Sequence, residues 1–284
     1  MKFHFIREHR QAFSMSRMCR VLDVSTSGFF AWLKRVESRR QQEDAKLLQR
    51  IREIFADSGR TYGSPRVWAE LVAKGWRVSR KRIARLMRHA GIFAIRKQGY
   101  RRRKKAAVPE SAAPNVLQQD FSARGVNEKW LADIAYIATK EGFLHLAVVM
   151  DAFSRRIVGW SMNRRATSRL AQNALLMALQ KRELRGPLTH HSDRGSQYTD
   201  QRYQQMLTDR GILHSMSDAG SCYDNAMVES FFATLKTECA NRVFDTINEA
   251  RCTIAYYMEA WYNRRRRHSS LGFASPMQFE EAEY

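Results

Sequence analysis

The chain has 284 residues, 44% of them hydrophobic, which is room for about two domains at a prior of ~150 residues each and too apolar for disorder throughout. Its 49 Lys and Arg against 28 Asp and Glu leave +21, and a charge of that size points to a polyanionic partner rather than a small metabolite. No run approaches the ~18 apolar residues of a membrane span, the start MKFHFIREHR lacks a secretory apolar stretch, and Cys19, Cys222, Cys239 and Cys252 form no C-x-x-C pair. A cytoplasmic, reduced protein without membrane, disulfide framework or cysteine zinc site is expected.

The charge is segregated. Residues 1–110 hold 28 Lys and Arg against 9 Asp and Glu (+19), whereas residues 111–284 hold 21 against 19 (+2). Between 16 and 35 the apolar spacing predicts two short helices broken at Asp23-Val24-Ser25, with Ser25 as N-cap. That unit is either a helix-turn-helix or a plain helical hairpin. A second unit follows: a helix over 43–56, one opened by Ser64-Pro65 and closed at Gly75, and one capped by Ser79 and ended by Gly91. Its last helix carries Arg80, Lys81, Arg82, Arg85 and Arg88 without an acid. Five such cations repel one another unless phosphates neutralise them, so this helix is expected to contact DNA. The run RKQGYRRRKK, with Arg101, Arg102 and Arg103, reads as a linker arm tracking a phosphate backbone before AAVPESAAPN.

After Asn127 the period changes to that of strands. Residues 130–139, 143–151 and 156–162 read as strands, the first two joined by a hairpin at Lys140-Glu141-Gly142. A helix over 167–184, a strand over 187–192, a helix over 199–210, a strand over 211–217 and helices over 224–240 and 248–263 follow. That order is α/β. The divisions expected are 1–42, 43–105, a linker over 106–126, a core over 127–240, and a C-terminal helix with a basic tail over 241–284.

Three acids stand out by position. Asp133 sits mid-strand among apolar residues, where an unpartnered carboxylate is costly. Asp193 ends a strand just before Arg194-Gly195, at the edge where α/β folds place ligands. Glu229 lies on the long helix, where about 100° per residue puts it beside Asn225 and Lys236 at the margin of the apolar stripe. Hard oxygen ligands from three elements can hold one or two Mg²⁺ or Mn²⁺ ions, the arrangement that serves in-line displacement at phosphorus. His190 and His191, just before Asp193, are either ligands or hydrogen-bonded neighbours of the site. Gln197 and Tyr198 either meet DNA or anchor the turn. The cluster Arg264 to Arg267 with His268 and Ser269 is expected to touch phosphate.

At these residues the chain resembles a known family. Between Asp193 and Glu229 lie 35 residues, the spacing of Asp-Asp-(35)-Glu polynucleotidyl transferases. WLADIAYI, HSDRGSQY, DNAMVESFFATLKTE and YNRRRRHSSLGFASPMQF are similar to transposases of the IS-three group of bacterial insertion sequences, themselves like retroviral integrases. YGSPRVWAEL and RVSRKRIARLMRHAGI match the region preceding their catalytic core. The resemblance implies a ribonuclease-H-like core behind an all-α helix-turn-helix region. It implies Asp133, Asp193 and Glu229 as catalytic, metal-binding acids using Mg²⁺, expected as two ions, and Lys236 near the scissile phosphate; Asn225, from its place beside Glu229, and the basic residues above, from their charge, are expected as further DNA contacts. The implied activity is cleavage and strand transfer of the element's DNA ends. The implied partners are terminal inverted repeats, target DNA, further copies of the chain on DNA, and a first-frame product joined by frameshifting, in a bacterial nucleoid-associated setting. Ala132 and Ala135 depart from the threonine common beside the family's first acid, which alters local hydrogen bonding. The alternative is a non-catalytic DNA-binding partner or regulator of a frameshifted transposase. A buried carboxylate set, which a binding module has no use for, argues against it.

Overall fold

Polar caps and glycines divide the first ninety residues into short helices. The computed structural model describes residues 1–34, 38–95, 113–218 and 224–283, and begins with α1 (Lys2–His9), α2 (Met15–Val21) and α3 (Thr26–Leu33). Ser25 caps α3 by accepting from Gly28 N at 3.0 Å, and Asp23 takes a left-handed φ of 52° at the break. Ile6, Met18, Cys19 and Phe29 form a small core. After α4 (Arg39–Asp57), α5 (Ser64–Ala73) is capped by Gly63, with Ser64 and Pro65 as its first two residues. Pro65 fits there because first-turn N–H groups have no intrahelical acceptor. In α6 (Arg80–His89) the Ser79 hydroxyl accepts from Arg82 N at 3.3 Å while Ile83, Leu86 and Met87 are buried.

A mixed sheet of five strands among the described residues, in the order β3-β2-β1-β4-β5, builds the second half. β1 (Lys129–Thr139), β2 (Gly142–Asp151) and β3 (Ile157–Asn163) are antiparallel, and β4 (Thr189–Ser192) and β5 (Leu213–Met216) run parallel to β1. Strand alternation sends Trp130 and Ala132 to one face, against α7 (Ser168–Lys181) and α8 (Gln201–Thr208). Leu131, Ala135 and Ile137 go to the other, against α9 (Ala226–Glu238) and α10 (Ile247–Tyr256). Gly159 is where α7 comes closest: a Cβ there would lie 2.2 Å from the Ala174 carbonyl oxygen.

Composition presents the residues after 263 as a basic tail, but they are folded. α10 runs into a π-helical stretch (Tyr257–Tyr262), then a 3₁₀ turn (Ser269–Leu271) and α11 (Pro276–Ala282), which Ser275 and Gln278 open with a reciprocal capping box. Compactness divides the chain within α4, into 1–53 and 54–284. α5 therefore belongs with the sheet, for reasons visible in side chains. The Tyr62 hydroxyl accepts from Arg267 N at 2.9 Å, Arg66 Nε donates to Arg267 O at 3.0 Å, and the Arg267 guanidinium pairs with Glu70.

Candidate active site

β1 and β4 align Ala132 with Ser192; the next residue is Asp133 within β1 and Asp193 just past the end of β4. Parallel register thus brings Asp133 and Asp193 to the same level of the sheet, and alternation puts Asp133 on the face covered by α9. Asp133 Oδ1 accepts from Ile134 N at 2.7 Å, and Asp193 Oδ1 from Gly195 N at 3.0 Å. A Cβ at Gly195 would lie 2.9 Å from that Asp193 oxygen, so the glycine leaves the carboxylate room. Asn225 Nδ2 donates to Ala132 O at 3.3 Å and so pins the start of α9 to β1, one residue from Asp133. Glu229, one turn on, is half-buried; burial raises its pKa, and the Asp193 charge raises it further.

Tyr198 reports on the same neighbourhood. It is fully buried, and burial, Tyr203, Asp133 and Asp193 all push its pKa up. Its hydroxyl and Asn225 Oδ1 are buried atoms without a hydrogen-bond partner among the described residues. Carboxylates whose charges act on Glu229 and Tyr198, with such orphaned polar atoms in the same part of the fold, are a donor set that fits a divalent cation. No three His, Cys, Asp or Glu side chains among the described residues enclose an ion by themselves. A cation here would complete its shell with water or phosphate oxygens, as Mg²⁺ commonly does.

The neighbouring polar residues divide by burial. His191 uses both ring nitrogens, with Ser215 Oγ at 2.9 Å and Ser217 Oγ at 3.1 Å, and His190 Nε2 meets the Tyr203 hydroxyl at 3.0 Å, so both histidines support the strands. Gln197 Nε2 donates to Ala166 O at 3.0 Å and anchors the turn. Asn225, expected on the DNA-facing side, is 6% exposed and spends its amide on β1 instead. Asp224 helps to fix the same helix start, accepting from Asn115 Nδ2 at 3.0 Å and Asp218 N at 2.9 Å. Neither role is legible in sequence, because both depend on tertiary register. Lys236 holds its ammonium 4.7 Å from the centroid of the exposed Tyr136 ring.

Among the basic residues, Lys81, Arg85 and Arg88 are exposed on α6. Arg82 is half-buried, and Arg80 stacks 4.0 Å over Trp68. Arg101, Arg102 and Arg103 lie outside the described residues. The four-arginine run splits. Arg264 and Arg265 are exposed, Arg266 is clamped by Glu238 at 2.8 and 2.7 Å, and Arg267 is held by Glu70. The phosphate-facing expectation therefore fails for Arg267, and Arg266 first serves a buried carboxylate.

An HTH-like domain model matches residues 41–104, and integrase core domain models match 123–222 and 210–276. The class is thus an integrase-like ribonuclease-H fold behind an HTH-like helical region. Transposase InsF for insertion sequence IS3A of Escherichia coli (strain K12) is 42% identical over 283 residues, covering 99% of this chain and 98% of the relative. An insertion element IS600 uncharacterized 31 kDa protein of Shigella sonnei is 40% identical over 265 residues, 93% of this chain and 97% of its own. The chain belongs to the IS3-family InsF transposases. Among solved structures, the HTLV-2 integrase catalytic core domain in complex with magnesium is 20% identical, covering 56% of this chain and 99% of its own at a TM-score of 0.41. A simian T-cell lymphotropic virus intasome is 18% identical, covering 75% and 69% at 0.47.

Proposed function

We propose that Asp133, Asp193 and Glu229 are the catalytic carboxylates of a metal-dependent DNA strand transferase acting on the ends of its insertion sequence. The observation that carries this reading is the Ala132–Ser192 register, after which each chain segment continues with an aspartate, together with a helix glutamate that feels the charge of Asp193. Asp133, Asp193 and Glu229 would hold divalent cations, Mg²⁺ or Mn²⁺ and two per site. When bound, these would neutralise phosphate charge and favour deprotonation of an attacking water or 3′-hydroxyl. The protein's own part is positional. The interior of β1 fixes Asp133 and the end of β4 fixes Asp193, Asn225 fixes the helix, and Lys236 offers a cation two turns beyond Glu229 to a DNA end. Exposed cations on α6 would hold duplex DNA through its phosphates. Terminal inverted repeats, target DNA, further copies of the chain and a first-frame product would be its partners.

The test is strand transfer on duplex oligonucleotides carrying the element's ends, with Mg²⁺ or Mn²⁺. Asp193→Asn should reduce joining to the protein-free level and keep DNA affinity within about twofold, since phosphate contacts carry most of that affinity. Joining retained by Asp193→Asn would overturn the assignment. A wild type that needs the first-frame segment would join only as the fused product.

A further inference from the structure

A second concave site lies where α5, α9 and the 3₁₀ turn meet, a cavity of about 220 Å³ lined by Arg66, Arg155, Arg266, Ser230, Ser269 and Ser270 among others, with no acid in its wall. Its charge is unbalanced. Arg266 takes the Glu238 carboxylate in two short hydrogen bonds, and Arg66 reaches that same carboxylate only at 3.9 Å. Arg155, in the turn between β2 and β3 at a left-handed φ of 60°, has no carboxylate partner among the described residues. Arg66 and Arg266 thus share the one Glu238 carboxylate, and Arg155 adds a third guanidinium without one. Burial lowers the pKa of Arg66, and repulsion from Arg266 lowers it further, as expected of a positive pocket short of an anion. A larger cavity of about 500 Å³ between α4, α5 and the Arg264–Arg267 run differs in kind, because Asp57 and Glu70 line it.

We infer that this acid-free cavity is a phosphodiester pocket, in which the Arg66 and Arg155 guanidinium groups and the Ser230, Ser269 and Ser270 hydroxyls grip one backbone phosphate of bound DNA. Guanidinium forks and hydroxyl donors match the tetrahedral oxygens of phosphate. The inference rests on the DNA-transferase reading and adds to it. Arg66 comes from the HTH-like region and Ser230 adjoins Glu229 on α9, so one phosphate would tie DNA held by the helical region to the helix carrying a catalytic carboxylate.

Three variants test it by salt titration of binding to terminal-repeat duplex. Each lost phosphate contact lowers the slope of log K against log salt by about 0.9, or roughly eightfold in affinity at 0.1 M salt. Arg155→Gln should show that loss. Arg210→Gln, which removes an exposed charge at the end of α8, should keep the wild-type slope. A Ser269→Ala, Ser270→Ala double variant should lose affinity with its slope unchanged, because hydroxyls carry no charge. A scan with neutral methylphosphonates should find one position that weakens the wild type and leaves Arg155→Gln unaffected. An unchanged slope for Arg155→Gln, or an equal drop for Arg210→Gln, overturns the pocket. Thermal stabilisation by inorganic phosphate with an unchanged DNA slope marks a free-anion site and overturns it as well. Wild type that binds no DNA overturns the transferase reading beneath it, whereas wild type that binds and joins beside an Arg155→Gln of identical slope overturns the pocket alone.

Discussion

A single amide decides how α9 meets the sheet. Asn225 is buried, and its Nδ2 donates to Ala132 O at 3.3 Å, so losing it removes a bond worth about 1 kcal/mol. The larger consequence is geometric, because Glu229 follows one turn later and its carboxyl must stay near Asp193. Asn225→Ala should slow strand transfer at least about tenfold, since small displacements of reacting groups cost much in rate. The salt slope of DNA binding should stay at the wild-type value. A weakened slope with normal transfer would instead make Asn225 the DNA contact that its helical position suggests. The places of the three proposed acids in the fold were legible, each by a different signal: an acid among strand residues, an acid at a strand end, and an acid beside the apolar stripe of a helix. The common level of Asp133 and Asp193 was not legible, because it depends on β4 pairing with β1 rather than with any other strand.

Elements were legible in proportion to their periodicity. Strands β1 to β3, with their alternating faces, and helices α7 and α9, with their apolar stripes, fall within a few residues of expectation. The C-terminal segment is where charge misleads. Four consecutive arginines suggest a phosphate-facing basic tail, yet Arg266 is 3% exposed because Glu238 waits for it on α9. Pairing partners that are distant in sequence leave no local trace. α11 shows the same effect, since its Glu280 is 4% exposed and accepts from Ser154 Oγ at 2.7 Å, Arg156 at 2.5 Å and Arg182 Nη1 at 3.1 Å. Burial alone would raise the Glu280 pKa, but the Arg182, Ser154 and Arg156 contacts outweigh it and hold the carboxyl below its usual value. Glu280→Ala strands two half-buried arginines and should cost about 3 kcal/mol of stability, read as a lower denaturant midpoint. A depressed carboxylate stabilises above its unfolded pKa and loses that contribution as pH falls through the folded one. Wild type should therefore lose more stability below pH 4.5 than Glu280→Ala does. Equal acid sensitivity would mean the arginines find other partners.

For the whole chain, +21 at pH 7 makes acid a natural threat. The sheet sharpens it. β4 and β5 align His190 with His214 and His191 with Ser215, so three imidazoles sit within two adjacent strands. Burial depresses them to about 3 for His190 and about 4 for His191 and His214, and the His214 charge adds to the depression of the other two. An unfolded chain would protonate each near 6.5. Depressed folded values mean that stability is fully present above that point and is lost as pH falls toward the folded pKa values. Between these limits the unfolded state binds up to three protons that the folded state refuses. Stability should therefore fall by about 1.4 kcal/mol per pH unit for each histidine, approaching about 4 kcal/mol for the trio. Urea unfolding at pH 7, 6 and 5 measures this directly. His214→Gln should flatten the profile by about one proton, because it removes one site and relieves the charge felt by the other two. A wild-type profile flat from pH 6.5 to 5 would show that the cluster opens to solvent before it protonates, and that the sheet edge carrying Asp193 is looser than its hydrogen bonds imply.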